Sequence, residues 1–555
     1  MSNYNICIDF GTCNSVISYI EDNILKQIYD EVSGDVLLPT TIYFISDSIN
    51  KNFKFIDFSP DTNYIIGSPA NDLVNSNKDW ENYFYQFKRF LGITSKSESV
   101  YKEFLSKYGF EFSCDEDTIY FYLKIIDSED KIKFSIINLI TLYFKGLYKI
   151  ICNKLNIFDK INIILTCPAY FHDLQRSQLK RAAENAGFII NKLCNEPTTA
   201  AIYYIHKFNL NNEQNKYIVY DLGGGTIDTT VVDYHADSGI CEVIDIDGNN
   251  SLGGIDIDNL LVLDIFNKYN IDKNNFKMQN RIKKCAEEIK IKLTYNQNHD
   301  IYLENVPINK NNKIIIVDNL KISYSRHLFN SIVNELINEM ISPIKKMYDI
   351  YKTTNIIFIG GPTQIPILKT KIGSLLNLDL SNNINMYDST LYKTIVSQGG
   401  SILYKKINEK QNFCLLEIIP MNIGISDPDN NMIIMINKNS KIPVCVEKVF
   451  STSYDCQRTI NIEVYEGIEN NCFQNTFIGS YKIIGIPALS KGMILIKLLF
   501  KISYNGILEM SINGFKNSSD NSSKSFDFKL YENIKLIPNI LAKELLRKLL
   551  LSNTK

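Results

Sequence analysis

Apolar runs alternate with glycine-rich or polar turns over the first 405 residues. Residues 161–170 (INIILTCPAY) predict a buried strand. Residues 173–187 begin with a capping aspartate and end in glycine, which predicts a helix. A short strand at about 190–195 precedes Glu196-Pro197, which opens a second helix, since proline suits the first helical turn. Helical periodicity also marks three further segments, 98–110, 132–155 and 279–294, and a strand, a Gly-Gly turn and a helix are predicted within 355–373.

The pattern changes after about residue 405. Residues 411–420 (QNFCLLEIIP) form a short apolar segment, too short for a domain element and too apolar for an ordinary linker. From 421 to 515, short alternating strands are broken by polar and glycine-containing turns, which predicts an all-β module. A polar spacer at 516–525 then leads to one amphipathic stretch at 539–551.

Two segments are similar enough to be copies of one unit. Residues 218–232 (IVYDLGGGTIDTTVV) and 5–20 (NICIDFGTCNSVISYI) each contain a strand ending in aspartate, a Gly-Thr turn and a second apolar strand. Repeats indicate related supersecondary units. We therefore expect two similar lobes whose turns face each other.

Composition narrows the class of protein. Hydrophobic residues make up 45% and charged residues 22% of 555 residues, which is typical of a globular protein of about three or four domains. The net charge of −2 argues against nucleic-acid or anionic-membrane binding driven by charge. The sequence contains no apolar run of membrane-spanning length and no secretory signal. Twelve cysteines without zinc spacing favour reduced thiols, and hence a cytoplasmic or nuclear protein.

The paired turns suggest a nucleotide clamp. Glycines let the backbone approach an anion and direct N–H groups at it. Asp9, Asp221 and Asp228 would repel a phosphate unless a cation lay between, and Mg²⁺ accepts carboxylates through its own waters. Thr12 and Thr226 can offer hydroxyls to phosphate oxygens. The alternative is a pair of purely structural hairpins, which the second copy disfavours.

A third glycine-rich turn, at Gly360 and Gly361, follows a predicted strand. Small residues there would let a base or ribose lie against the backbone, although any strand–turn–helix connection has the same appearance.

The motifs taken together resemble the DnaK family of seventy-kilodalton heat-shock chaperones. They are IDFGTCNSV, KRFLG, LTCPAYFHDLQR, NEPTTAA, VYDLGGGTIDT, LGGIDID, EEIKIKLT and FIGGPTQIP, followed by VFSTSYDCQ and IEVYEG in the β-rich part. The resemblance extends from residue 4 to about 514. It implies an α/β actin-like two-lobed ATPase domain at 1–405, a linker at 406–419, a β-sandwich peptide-binding domain at 420–515, and a polar spacer with a short residual lid helix at 516–555.

The resemblance also assigns roles to particular residues. The implied catalytic residues are Lys88, Glu196, Asp221 and Thr226, and the implied magnesium site, acting through waters, is Asp9, Asp221 and Asp228. Implied nucleotide contacts are Asp9, Gly11, Thr12, Cys13, Gly223, Gly224, Gly225, Thr226, Glu287, Lys290, Thr294, Gly360, Gly361 and Gln364. A lone lysine or glutamate usually lies on a solvated face, so Lys88 and Glu196 depend on the motif match.

Several residues depart from the family pattern. Cys13 replaces a second threonine and loses a hydroxyl contact. Gln364 replaces an arginine that packs on adenine, Lys393 lies where an acidic residue is common, and Ile255 replaces an acidic residue. These changes concern nucleotide affinity more than hydrolysis.

The implied peptide site lies in the β-rich part. Phe450, Thr452 and Ile460 match positions that line an extended-peptide cleft, and Met432 is a plausible fourth, although core packing is the ordinary role of such residues. Residues 427–431 (DPDNN) replace an apolar arch over the peptide. The segment 415–418 (LLEI) resembles a linker that docks on the ATPase domain with ATP; its alternative is an extra edge strand of the sandwich. The short tail predicts fast peptide exchange.

The resemblance implies ATP and Mg²⁺ as cofactors, and unfolded peptide segments, a J-domain co-chaperone and a nucleotide exchange factor as partners. Arg176 matches an arginine that engages J-domains. The leading hypothesis is an ATP-hydrolysing chaperone, and the alternative is a weakly hydrolysing regulator or exchange-factor-like homologue. A sugar or acetate kinase is disfavoured because a sandwich follows the ATPase-like part.

Overall fold

The computed structural model contains α-helices and several β-sheets, and its contacts divide the chain into two compact units. It describes residues 4–45, 48–49, 55–77, 81–96, 110–115, 118–125, 130–208, 216–273, 275–310, 313–378, 391–516, 525–526 and 529–532. The first unit comprises Met1–Arg89, Tyr122–Phe171 and Leu179–Leu416, and the second comprises Phe90–Phe121, His172–Gln178 and Glu417–Lys555. The boundary after Leu416 falls inside the predicted linker.

The described helices are α1 Ser68–Asn77, α2 Ile136–Leu155, α3 Asp173–Asn185, α4 Glu196–Phe208, α5 Gly254–Lys268, α6 Phe276–Tyr295, α7 Arg326–Met340, α8 Ser342–Tyr351, α9 Pro366–Leu376 and α10 Leu391–Asn408. Four short 3₁₀ turns lie at Phe55–Asp57, Phe87–Phe90, Gly361–Gln364 and Cys472–Gln474.

The described strands up to the predicted linker are β1 Asn5–Phe10, β2 Asn14–Glu21, β3 Ile24–Gln27, β4 Leu38–Pro39, β5 Thr41–Phe44, β6 Tyr64–Ile66, β7 Tyr83–Tyr85, β8 Phe112–Cys114, β9 Ile119–Lys124, β10 Lys131–Ser135, β11 Asn162–Cys167, β12 Ile189–Asn195, β13 Lys216–Leu222, β14 Ile227–His235, β15 Ile240–Asn249, β16 Asn298–Lys310, β17 Lys313–Ser325 and β18 Ile356–Ile359. The later strands are β19 Cys414–Ile418, β20 Asn422–Ser426, β21 Met432–Ile436, β22 Lys441–Ile442, β23 Val444–Ser451, β24 Thr459–Gly467, β25 Thr476–Ile484, β26 Ile494–Ile502, β27 Leu508–Lys516, β28 Ser525–Phe526 and β29 Lys529–Glu532.

Two sheets of the first unit repeat one pattern of pairing. In one, β1 pairs in parallel with β11 and antiparallel with β2, and β2 pairs antiparallel with β3. In the other, β13 pairs in parallel with β18 and antiparallel with β14, and β14 pairs antiparallel with β15. The predicted hairpin repeat is therefore confirmed as a repeat of strand topology.

Helix α10 packs tightly on the first of these sheets because it carries two adjacent glycines. A Cβ atom on Gly399 would lie 1.8 Å from the carbonyl oxygen of Thr199 in α4. A Cβ atom on Gly400 would lie 2.2 Å from the Sγ atom of Cys7 in β1. Side chains are thus excluded where α10 meets both neighbours.

Most predicted helices are confirmed, with one difference at a boundary. Residues 132–135 were expected to be helical, but Lys131–Ser135 is a strand and α2 begins at Ile136. The Ser135 side chain accepts the N–H of Asn138, which caps the helix and sets its start. The predicted helix at 98–110 and the amphipathic stretch at 539–551 lie almost entirely or entirely outside the described residues.

The second unit contains two antiparallel sheets around one core. Their strand orders are β21-β20-β24-β25-β29 and β23-β26-β27-β28. Ile423, Val464 and Ile483 of the first sheet share a hydrophobic cluster with Ile496 and Phe500 of the second. The expected all-β character of 421–515 is confirmed, because strands and one 3₁₀ turn are its described elements.

The apolar segment before this module forms strand β19. Its residues Cys414–Leu416 pair in parallel with β15 in the first unit. In the second unit, Glu417 and Ile418 pair antiparallel with β22. Residues on either side of the Leu416–Glu417 boundary therefore each pair with a strand of their own unit, and docking of this segment in the presence of ATP stays a prediction.

Candidate functional site

The turns of the two hairpins lie side by side in the first unit. The first turn comprises residues 11–13 and the second turn comprises residues 223–226. A Cβ atom on Gly224 would lie 2.7 Å from the Sγ atom of Cys13, and one on Gly225 would lie 3.1 Å from the Oγ1 atom of Thr12. The turns therefore meet as the sequence predicted, and they meet where glycine leaves room.

Four carboxylates and one lysine are brought together beside these turns. Asp221 and Asp228 are opposite each other in the β13–β14 register. The Nζ atom of Lys88 lies 2.8 Å from the Oε1 atom of Glu196. Asp9, Asp221 and Glu196 are close enough for their charges to affect one another. The arrangement holds more negative than positive charge.

Burial and neighbouring charges raise the pKa values of Asp9 and Asp221. Burial raises the pKa of Asp9 to about 7, the charge of Glu196 adds to this, and Lys88 and the Thr166 hydroxyl oppose it. Burial also raises the pKa of Asp221 well above its usual range, with Glu196, Asp228 and Asp9 adding to the effect. An added cation would relieve this repulsion.

Neighbouring groups orient two of the carboxylates. The Thr166 hydroxyl donates to Oδ1 of Asp9 at 3.0 Å. The backbone N–H of Tyr170 donates to Oδ1 of Asp228 at 2.8 Å. Neither Thr166 nor Tyr170 was predicted as a donor, although both lie in the LTCPAY segment that resembles a family motif.

Lys88 is held in an aromatic and acidic environment. Its side chain is only 3% exposed, and its Nζ atom lies 5.7 Å from the ring centre of Phe10 and 5.5 Å from that of Phe171. Burial alone would lower the pKa of Lys88, but the charges of Glu196 and Asp9 outweigh it and raise the pKa. Lys88 is therefore a buried cation aimed at the acidic cluster, not a residue of a solvated face.

Helix α6 places three predicted residues on one face near the first turn. Glu287, Lys290 and Thr294 are spaced at i, i+3 and i+7, which brings them to the same side of a helix. Burial raises the pKa of the Cys13 thiol to about 12, and the Glu287 charge adds to this while Lys290 opposes it. The thiol is thus protonated at neutral pH and lies within reach of the α6 charges.

Two of these helical residues have partners that sequence analysis missed. The Nζ atom of Lys290 lies 2.6 Å from Oδ2 of Asp258, whose pKa burial raises to about 7. The Thr294 hydroxyl donates to the carbonyl of Lys290 at 3.0 Å. The LGGIDID motif contained Asp258, but its partner is 32 residues away and no local pattern pairs them.

The third glycine turn abuts the second. Gly360 has φ of +86°, and a Cβ atom on it would lie 1.9 Å from the Leu222 carbonyl oxygen, so glycine is required. A Cβ atom on Gly254 would lie 2.6 Å from the ring of Pro362. One Cβ on Gly361 would lie 4.0 Å from Tyr392, which was not predicted at this site.

Three departures from the family pattern acquire local partners. The Gln364 amide oxygen accepts from Nζ of Lys369 at 3.0 Å. Lys393 forms an ion pair with Asp35 at 2.9 Å. Ile255 is buried, and its backbone N–H donates to the Gly224 carbonyl at 2.8 Å, so it supports the second turn through its main chain.

Direct metal ligation is not built into the described residues. Among them, no group of three or more His, Cys, Asp or Glu side chains is arranged to hold a metal ion. The chemistry of the donor set still fits Mg²⁺ held through water, because three aspartates with mutual repulsion line one site.

The predicted peptide-site residues divide between two clusters in the second unit. Phe450 and Ile460 are half-buried against the core that both sheets share. Thr452 is buried, and its hydroxyl accepts the N–H of Gly492 at 3.1 Å. Met432 instead packs with Tyr465 and other residues in a separate cluster. The structure therefore does not bring Met432 together with the other three, because alternate residues of β21 face opposite sides.

Arg176 is buried in the second unit. It is 6% exposed, and a Cβ atom on Gly506 would lie 3.4 Å from its side chain. Close by, Asp173 donates its N–H to Glu466 at 3.0 Å and accepts the N–H of Leu508 at 2.6 Å. The role of Arg176 in binding a J-domain stays a prediction.

The first unit thus combines a duplicated hairpin sheet, paired glycine turns and an acidic cluster with one buried lysine. The sequence model of the family described as "Hsp70 protein" matches residues 5–526. The chain belongs to the Hsp70 family.

Three relatives are similar in sequence to this chain over at least 75% of their own length. "Chaperone protein DnaK" of Thermotoga petrophila is 27% identical over 525 residues, which cover 93% of this chain and 79% of the relative. "Chaperone protein DnaK" of Mycoplasma mycoides is 28% identical, covering 94% and 78%. "Iron-sulfur cluster biogenesis chaperone, mitochondrial" of Saccharomyces cerevisiae is 28% identical, covering 91% and 75%. Across the described segments, no helix is both long and apolar enough to cross a membrane.

Proposed function

We propose that this chain is an ATP-dependent molecular chaperone. In this proposal residues 1–405 form an actin-like two-lobed ATPase domain, 406–419 a linker, and 420–515 a β-sandwich that binds unfolded peptide segments. The residues from 516 to 555 contribute a spacer and a short lid helix. The observation that carries the proposal is the meeting of the two turns beside the Lys88–Glu196 pair and the three aspartates.

The two turns bind the phosphates. The backbone N–H groups of Gly11 to Cys13 and of Gly223 to Thr226 donate to phosphate oxygens, as glycine-rich turns do elsewhere. The hydroxyls of Thr12 and Thr226 add two donors. Cys13 contributes its N–H and a poor side-chain donor.

The three aspartates fit a hydrated magnesium ion. Asp9, Asp221 and Asp228 would accept hydrogen bonds from metal-bound waters, and the raised pKa values of Asp9 and Asp221 are the cost of burying these carboxylates together without a cation. When bound, Mg²⁺ neutralises charge on the phosphates and on the phosphoryl group being transferred.

Hydrolysis is phosphoryl transfer to water, in which positioning and charge neutralisation do most of the work. Lys88 directs its ammonium group at the γ-phosphate, and Glu196 orients Lys88 through the 2.8 Å ion pair. Thr226 holds the attacking water, and Asp221 accepts a hydrogen bond from the same hydrated site. Burial of these groups strengthens each interaction.

The nucleoside lies against α6 and the third glycine turn. Glu287, Lys290 and Thr294 contact the ribose and base from one side. Gly360, Gly361 and Gln364 form the opposite wall, where the positive φ of Gly360 keeps the backbone free of a side chain.

Phe450, Thr452 and Ile460 line the peptide site in the β module. Backbone hydrogen bonds and apolar contacts there would bind extended segments with broad preference. Met432 is left out of this set because it packs in another cluster. A J-domain co-chaperone acting at Arg176 and a nucleotide exchange factor are the proposed partners. The cytoplasm is the compartment that the sequence favours, while one relative is named as mitochondrial.

Single-turnover hydrolysis of ATP by the full chain tests the proposal. We expect slow hydrolysis that a J-domain protein and an apolar peptide accelerate. Lys88→Met should slow hydrolysis by about 10²–10³-fold while nucleotide binding persists, since a preorganised cationic donor is lost. Lys124→Met is the matched control, because Lys124 forms an exposed ion pair with Glu81. Equal hydrolysis by the wild type and Lys88→Met would contradict the assignment.

The alternative function, a weakly hydrolysing regulator, has one observation in its favour. The segment 427–431, which replaces the apolar arch of the family, closes on itself, since Asp427 accepts the N–H groups of Asp429 and Asn431 at 2.9 and 2.7 Å. That local turn leaves the loop less able to adapt over a peptide. Tight ATP binding without hydrolysis would favour this second function.

A further inference from the structure

Arg89 is a buried arginine that neither the turns nor the hydrolysis step accounts for. It follows Lys88 in the 3₁₀ turn Phe87–Phe90 and is 8% exposed. Lys88 reaches Glu196, whereas Nη2 of Arg89 donates to the carbonyl of Ser251 at 2.7 Å. The two consecutive cations therefore contact different parts of the first unit.

The partners of Arg89 form the N-terminus of helix α5. Nη2 of Arg89 lies 3.4 Å from Oδ2 of Asp256, and the same oxygen accepts the N–H of Gly253 at 2.8 Å. Asp256 is thus both a helix cap and the acidic partner of Arg89. Arg89 consequently braces the first turn of α5.

The start of α5 in turn holds the second turn of the site. The N–H of Gly254 donates to the Gly223 carbonyl at 3.0 Å, and the N–H of Ile255 donates to the Gly224 carbonyl at 2.8 Å. The aliphatic stem of Arg89 lies close as well, because a Cβ atom on Gly225 would be 3.0 Å from it. Arg89 therefore contacts the second turn directly and supports it through α5.

We propose that Arg89 is a positioning residue that clasps the second turn and slows the release of nucleotide. This inference rests on the proposed function, since it concerns the same phosphate site. Arg89 belongs to the sequence half that carries the first turn, so parting the two turns breaks its bonds to Ser251 and Asp256. Both acceptors lie within reach of the one atom Nη2, whose two N–H donors have directions fixed by the guanidinium plane, whereas a lysine ammonium lacks that fixed geometry.

Stopped-flow displacement of a fluorescent ADP derivative from the full chain measures the release rate. We expect Arg89→Met to release this nucleotide about tenfold faster than the wild type, and Arg89→Lys to lie between them. Asp256→Asn should also speed release. Because Arg89 and Asp256 contact each other, the fold-increase in the double variant should be smaller than the product of the two single fold-increases. Lys124→Met, the exposed-pair control, should leave the rate unchanged.

A purely structural role for Arg89 is separated by two further readouts. If Arg89 only stabilised the fold, Arg89→Met would lower the melting temperature equally with and without ADP. The clasp instead predicts that the ADP-induced rise in melting temperature shrinks. It also predicts faster amide hydrogen exchange in residues 223–226 of the nucleotide-free variant.

The possible outcomes separate the role of Arg89 from the proposed ATP-dependent function on which it rests. Unchanged release rates and unchanged exchange in Arg89→Met, Arg89→Lys and Asp256→Asn would overturn the clasp while leaving nucleotide binding intact. A wild-type chain that binds no nucleotide would overturn the proposed function and the release role. The exchange measurement would then decide whether Arg89 still positions the second turn.

Discussion

The first and second turns share a plan but are held by different kinds of bonds. In the first, the carbonyls of Gly11 and Cys13 accept from the hydroxyl and the N–H of Thr40 at 2.9 and 2.8 Å. In the second, the carbonyls of Gly223 and Gly224 accept from the backbone at the start of α5. The Thr40 side chain thus helps to hold the carbonyls of the first turn, whereas main-chain N–H groups of α5 hold those of the second turn, with the Arg89 side chain alongside.

Gly253 and Gly224 differ in what an added methyl group would meet. A Cβ atom on Gly253 would lie 2.6 Å from the Gly224 carbonyl oxygen, which belongs to the main chain. A Cβ atom on Gly224 would instead lie 2.7 Å from the Sγ atom of Cys13, a side chain of the first turn. A clash at Gly224 can therefore be relieved by shortening the Cys13 side chain, whereas a clash at Gly253 cannot.

The largest effect on nucleotide binding is expected when a methyl group is added to Gly253 or to Gly224. Gly253→Ala and Gly224→Ala should each weaken nucleotide binding by about 1–3 kcal/mol, or about five- to hundredfold, because both insert a Cβ into contact. Cys13→Ala should rescue Gly224→Ala, whose clash is with a side chain, but not Gly253→Ala. Titration calorimetry with ADP measures both. Equal rescue of the two variants would show that the turns do not differ in this way.

A second test concerns Asp9, the aspartate beside the first turn, and measures how the free energy of unfolding depends on pH. The folded-state pKa of Asp9, about 7, lies above the usual carboxyl value of about 3.9. The native state then holds a proton that the unfolded chain releases, so stability should fall as pH rises from about 4 to about 7. The slope for one such group is about 1.4 kcal/mol per pH unit.

Urea unfolding of the metal-free, nucleotide-free chain across this range measures that slope. Asp9→Asn should reduce the slope by about 1.4 kcal/mol per pH unit, the share of one group, since the amide cannot ionise while Asp221 and Asp258 still do. Asp35→Asn, which removes an aspartate near the surface, is the control and should retain the slope. A wild-type slope identical to that of Asp9→Asn would refute the assignment of the titration to Asp9.

The smallest expected effect sharpens the comparison at position 13. Cys13→Thr restores a hydroxyl that can donate to phosphate, which should tighten ATP binding by about 1 kcal/mol, or about fivefold. Cys13→Ser should give a similar gain and Cys13→Ala none. The dissociation constant of ATP, measured by competition, decides it. A gain for Cys13→Ala equal to that for Cys13→Thr would attribute the effect to lost bulk instead of a gained hydroxyl.

The sequence predicted those parts of the molecule whose signals are local. Strand–turn–strand repeats and the helix starts at Asp173 and at Glu196-Pro197 are short patterns, and the structure contains each of them. The family resemblance brought Lys88 and Glu196 together although periodicity could not.

Long-range partners could not be predicted in the same way. Arg89 and Ser251 are 162 residues apart, and nothing in either neighbourhood names the other. Met432 packs in a different cluster from Phe450 and Ile460, which the sequence could not indicate because the face of a short apolar strand is unknown until the sheet register is known. Its role in peptide binding stays a prediction. The strand at 131–135 was read as helix for a related reason, since it adjoins a long amphipathic pattern.

The paired glycines of α10 have a mechanical consequence. Gly400 abuts β1, the strand that contains Asp9, and Gly399 abuts the helix that begins at Glu196. Because neither glycine carries a side chain, the backbone of α10 packs directly on β1, which contains Asp9, and on α4, which begins at Glu196. A shift of α10 would therefore displace Asp9 and Glu196 together and preserve the distance between them.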